Sequence, residues 1–137
     1  MKYLLDVNAL VAFGFSDHVF HEQLSRWVRS LAAAQHDDEL ATCSITELGF
    51  VRVLAQVPQY AFTVSEAMLL LGRMKNEGDV RFSFVVDDQD ASRLPGWVRA
   101  PKQITDGHLV QLAKAHGAVL ATLGRAVPGA FFIPQKV

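Results

Sequence analysis

"YLLDVNAL", residues 3–10, decides the fold. An apolar run reaches Asp6, passes Val7 and meets Asn8. Asp and Asn are depleted in strands, so the chain changes structure here. Residues 2–7 read as a short buried strand, and the spacing from Asn8 to Phe15 suits a short helix. A carboxylate at such a junction has two readings. It is a turn or N-cap residue, or it is part of a metal site.

Outward from this junction, strands and helices alternate. Residues 18–34 put Phe20, Leu24, Trp27, Val28 and Leu31 on one helical face. A polar break follows at 35–39. "LATC", 40–43, is a second strand running into "SITELGFVRVLAQ", 44–56, a helix that Pro58 ends. Residues 63–78 form a helix stopped by Gly78. "VRFSFVV", 80–86, is a strand by its β-branched and aromatic content. Residues 93–103 are irregular, 105–117 form a helix, and 118–122 and 130–134 are strands. This alternation requires crossover connections. It predicts an α/β fold with a mostly parallel sheet covered by helices, in a single domain over 1–137.

Composition narrows the function classes. Half of the 137 residues are hydrophobic, enough for a real core. The formal net charge is −1, so the chain does not coat nucleic acid along its length. Any contact with nucleic acid is local. Cys43 is the one cysteine, which excludes an intramolecular disulfide and fits a reducing, cytoplasmic setting. No run of 18 apolar residues exists, so no membrane segment is expected. There is no phosphate-binding glycine loop, dinucleotide fingerprint or nucleophile elbow. A receiver-like phosphoacceptor needs a Lys after a late strand, and "AVLAT" leads to "LGRA" without one.

Three acids then stand out. Asp6 ends the first strand, Glu47 opens the helix after the second, and Asp106 opens the helix after "WVRAPKQI". In parallel sheets, ligands bind beyond the carboxyl ends of the strands, so these acids could converge. Singly, each has a structural reading: Asp6 as an N-cap, Glu47 in the capping-box pattern "SITE", and Asp106 in a first helical turn. "TVSE", 63–66, repeats the capping pattern where nothing suggests chemistry. Together, three close carboxylates repel, and a hard divalent cation relieves that repulsion. His18 and His21 read as a surface or packed pair, and Cys43 as core.

With those residues assembled, the sequence resembles the PIN-domain ribonucleases, and within them the VapC-type toxins of toxin–antitoxin pairs. The carriers are "LLDVNALVA" (4–12), "TCSITELGFVRVL" (42–54), "QITDGHLVQLAKAHGAVLAT" (103–122) and "LGRA" (123–126). The resemblance implies a PIN-like α/β/α sandwich and cleavage of RNA with Mg²⁺ or Mn²⁺. By motif position it implies that Asp6, Glu47 and Asp106 are catalytic, metal-binding acids. Asn8 and Thr122 support them. It also implies a homodimer and a cognate VapB-type antitoxin, with the helices at 18–34 and 63–76 walling the groove that receives it.

One position departs from the family. Gly124 stands where a fourth acid is expected. The leading expectation is a toxin endoribonuclease working with three acids. Its rival is a weakened or silent PIN domain that keeps antitoxin or RNA binding. Leu48 is a smaller departure, where related toxins often carry a polar residue. Arg52, Arg93, Arg99, Lys102 and Arg125 flank the motifs and are candidate phosphate contacts. Trp97 is either a base-stacking residue or a packing anchor.

Overall fold

The structure, a computed structural model, describes residues 1–34 and 36–136. Gln35, the first residue of the polar break, and Val137 lie outside the described residues. Five strands form one sheet: β1 (Lys2–Leu5), β2 (Glu39–Cys43), β3 (Phe82–Val85), β4 (Ala118–Thr122) and β5 (Phe131–Phe132). Their order across the sheet is β3-β2-β1-β4-β5, and every pairing is parallel. The helices are α1 (Val7–Gly14), α2 (His21–Ala33), α3 (Ser44–Gln56), α4 (Val64–Glu77) and α5 (Ile104–Ala115).

Alternation along the strands builds three layers. Leu5, Leu40 and Ala121 face one side, where they share a core with Leu10, Leu24, Trp27, Phe50, Leu54 and Leu71 of α1–α4. Leu4, Ala41 and Leu120, one residue earlier or later, face the other side and pack on Leu109 and Leu112 of α5. Each buried leucine contributes about 1.5–3 kcal/mol. Strand order progresses one way from β1 to β3 and then reverses to β4. Right-handed crossovers therefore put α1–α4 on one face and α5 on the other. The reversal leaves a switch point between the carboxyl ends of β1 and β4.

Several boundaries shift for local reasons. The first strand stops at Leu5, because Asp6 turns out of the sheet to cap α1. The second helix begins at His21 rather than 18. The His18 ring accepts the Phe20 amide at 3.0 Å and holds residues 18–20 in a turn. Phe20 is consequently 43% exposed and drops out of the expected apolar face, whereas Leu24, Trp27, Val28 and Leu31 are buried. Glu39 joins β2, clasped by Lys2 at 3.3 Å and Arg81 at 2.6 Å. β3 is shorter than 80–86, with Val86 exposed beyond its end. The irregular stretch holds two short 3₁₀ turns, Ala91–Arg93 and Pro101–Gln103. It lies close on α5 because Gly107 has no side chain: a Cβ there would overlap Val98.

Candidate metal centre

Asp6 sits at the switch point, 8% exposed. Its two oxygens have separate tasks. Oδ1 accepts the Ala9 amide at 2.8 Å and caps α1. Oδ2 accepts the Thr122 hydroxyl at 2.5 Å, across from the end of β4. The N-cap reading of Asp6 therefore holds, with its second oxygen bonded across the sheet. The Thr122 oxygen in turn accepts the Gly124 amide at 3.0 Å. Burial pushes the Asp6 carboxyl above its usual range. The hydrogen bonds from Thr122 and Ala9 pull it back, and the nearby Asp106 charge raises it again. Asp106 stands half-buried in the first turn of α5, and burial raises its carboxyl too. Asp106 is therefore near enough for its charge to act on Asp6, and no cationic side chain pairs with either among the described residues.

Glu47 is held differently. The capping-box reading fails, because the helix is capped at Cys43, whose amide donates to the Thr46 hydroxyl at 3.0 Å. Glu47 is free to point elsewhere. Its Oε2 accepts the hydroxyl of buried Thr42 at 2.6 Å and the ammonium of Lys75 at 2.5 Å. "TVSE" does form the capping box, with Thr63 and Glu66 exchanging bonds of 3.1 and 2.9 Å. Among the described residues, no three Asp, Glu, His or Cys side chains stand close enough to hold one ion. Asp106 acts on Asp6 through its charge, and Glu47 is drawn toward Lys75.

The supporting residues divide as well. Asn8 and Gly124 line a common cleft of about 400 Å³ with His18, Val19, Phe20 and Leu123. Gly124 is exposed with ordinary backbone angles, and a Cβ there would meet Thr122 Oγ1 at 3.4 Å, so a side chain fits. Arg52 lines a groove beside Glu47 and Lys75. Arg99 and Lys102 are exposed on the loop before α5, as is Arg93. Arg125 lies 4.7 Å over the Phe132 ring. Trp97 lines a cleft with Pro95, Val110 and Pro128. His21 is satisfied by the Ala12 carbonyl and Ser25 hydroxyl, at 2.9 and 3.2 Å. Asp87 and Asp88 pair with His108 and His116, at 2.6 and 2.8 Å, and tie the exit of β3 to α5.

The expected groove between the helices at 18–34 and 63–76 needs correction. The larger groove, about 500 Å³, runs between α3 and α4. Leu48, Val64 and Met68 are exposed along it. α2 packs on α1 instead, and only a smaller cleft of about 230 Å³ separates it from the end of α4.

Sequence reasoning missed Thr42 and Lys75. Thr42 had a signal: "LAT" recurs near the end of β2 (40–42) and at the end of β4 (120–122), and each Thr donates to an acid. Lys75 had none. It lies 28 residues from Glu47, in the last turn of α4, where a cation is ordinary.

The chain belongs to the PIN domain family, whose pattern matches residues 3–128. Its relatives include three Mycobacterium tuberculosis proteins. Ribonuclease VapC44 is 38% identical, covering 95% of this chain and 94% of its own. Ribonuclease VapC38 is 34% identical over 90% and 86%, and Ribonuclease VapC39 is 32% identical over 93% and 91%. PIN-domain nucleases of the VapC kind are generally divalent-metal dependent. Asp6 and Asp106 fit a hard cation: both are oxygen donors, both lack a cationic partner, and burial disfavours their charges when metal-free. Glu47, in its present position, does not join them.

Proposed function

We propose that this chain is a Mg²⁺- or Mn²⁺-dependent endoribonuclease, the toxin of a VapB–VapC type pair. Asp6 and Asp106 hold the ion, and Glu47 completes its shell or helps activate the attacking water. The observation that carries this reading is the buried Asp6 carboxylate facing Asp106 without a compensating cation. When bound, a divalent ion lowers the pKa of a water and stabilises the leaving oxygen of a phosphodiester. Thr122 fixes the Asp6 carboxylate, and Asn8 lines a nearby cleft with Gly124. Arg52, Arg99, Lys102 and Arg125 supply exposed positive charge for the RNA backbone.

The partner is a VapB-type antitoxin. The α3/α4 groove, with Leu48, Val64 and Met68 exposed, suits an apolar helix face. The family resemblance supports a homodimer. Among the described residues, no helix is long and apolar enough to cross a membrane, and a cytoplasmic setting accords with RNA as substrate.

The silent-domain alternative is not favoured. Relatives named as ribonucleases align over nearly the whole chain, and the charge of Asp106 acts on buried Asp6. An RNase assay tests the choice. The protein should cut single-stranded RNA with Mn²⁺, stop with EDTA, and cut faster as Gly124→Asp, because a fourth carboxylate strengthens the cation site. Metal-independent cleavage, or cleavage only by Gly124→Asp, would overturn the reading.

A further inference from the structure

Lys75 reaches from α4 to Glu47 on α3, closing one end of the groove between those helices. The two donors on Glu47 Oε2 are unlike. Thr42 is fully buried on a strand, so its hydroxyl stays. Lys75 ends a flexible four-carbon stem, and the side chains of the pair are 28% and 21% exposed. Ion pairs in contact with water are weak, so this ammonium can leave. In the same position the ammonium lies 5.7 Å from the centre of the Phe84 ring, within cation–π range.

We propose that Lys75 is a latch on the acid site: its ammonium occupies Glu47 and keeps that carboxylate out of the cation's ligand shell until it swings away. The latch rests on the reading of Asp6 and Asp106 as the cation's holders. It is a charge competition at one oxygen atom. Lys75 and a divalent cation both seek Glu47, and the protein favours Lys75 when metal-free. The latch also follows from Gly124. With only three acids and one lysine, the site carries a modest negative charge that a single ion balances.

Mn²⁺ alone, titrated calorimetrically into the metal-free full chain, tests this. Lys75→Met should bind Mn²⁺ about tenfold more tightly than the parent, and Lys75→Arg should bind like the parent. In a Glu47→Gln background, Lys75→Met should change nothing. Asp6→Asn should abolish binding in every background. Circular dichroism melts check that each variant is folded, and Lys75→Gln replaces Lys75→Met if the latter is not. Equal affinities for parent and Lys75→Met, with Asp6→Asn still abolishing binding, would overturn the latch and leave the metal reading standing. An equal gain in the Glu47→Gln background would overturn it too, since Lys75 would then act only through its general field. No Mn²⁺ binding by any variant would overturn the metal reading and the latch together.

Discussion

Two strands carry the same run of three residues at or next to their carboxyl ends and come to opposite electrostatic outcomes. β4 ends in Leu120-Ala121-Thr122, and its Thr donates to Asp6. β2 carries Leu40-Ala41-Thr42 just before its last residue, Cys43, and its Thr donates to Glu47. Both threonines are buried and both bonds are short. The difference lies in what else arrives. Asp6 receives only neutral donors and faces a second carboxylate. Glu47 receives an ammonium. Hydroxyl and amide donors orient a carboxylate without neutralising it, so the Asp6 end remains a demand for a cation. The Glu47 end has that demand met from within the chain.

The comparison can be broken at several points. The largest effect is expected at Asp6. Asp6→Asn keeps an oxygen for the Ala9 amide, so the fold survives, and RNA cleavage should fall by about 10²–10³-fold, as when one charge-stabilising group is lost. Cleavage rates of the folded variant check this. Next comes Thr122→Val, which strips Asp6 and the Gly124 amide of one shared partner. It should cost about 1–3 kcal/mol in a denaturant melt, because a buried polar group loses its bond. Thr42→Val should cost less, about 1 kcal/mol, since Lys75 still satisfies Glu47. Equal costs would erase the distinction between the two strand ends.

The smallest effect is on pH dependence. Asp6 and Asp106 both have folded carboxyl pKa values above their unfolded ones. The folded state therefore holds protons that the unfolded state has released. Stability of the metal-free protein should decline as pH rises from the ordinary carboxylate range through the raised folded values. Below that range both states are protonated and the decline is absent. Asp6→Asn should flatten the slope, and added Mn²⁺ should offset it at neutral pH. Thermal melts across acidic to neutral pH check both.

Legibility followed sequence distance. α3 and β4 fall where their patterns predict them, because capping, apolar period and breaker residues are local. The junction at Asp6 was readable because a polar residue interrupts an apolar run. Its double role was not, since the bond to Thr122 spans 116 residues. Phe20 was misplaced because a single side-chain bond from His18 outweighs helical period at a helix start. "SITE" and "TVSE" look alike, yet only the second caps its helix with its Glu. Thr46 and Cys43 settle the first, and tertiary partners take Glu47. Lys75 was invisible because the packing of α4 on α3 delivers it.

The most direct measurement compares Mn²⁺ affinity for Asp6→Asn and Glu47→Gln by calorimetry. The account predicts that Asp6→Asn loses about a hundredfold or more, whereas Glu47→Gln loses less than about tenfold, because Lys75 already occupies that carboxylate. If Asp6→Asn binds Mn²⁺ like the parent, or if Glu47→Gln loses as much as Asp6→Asn, the cation does not belong to the β1/β4 switch point as described.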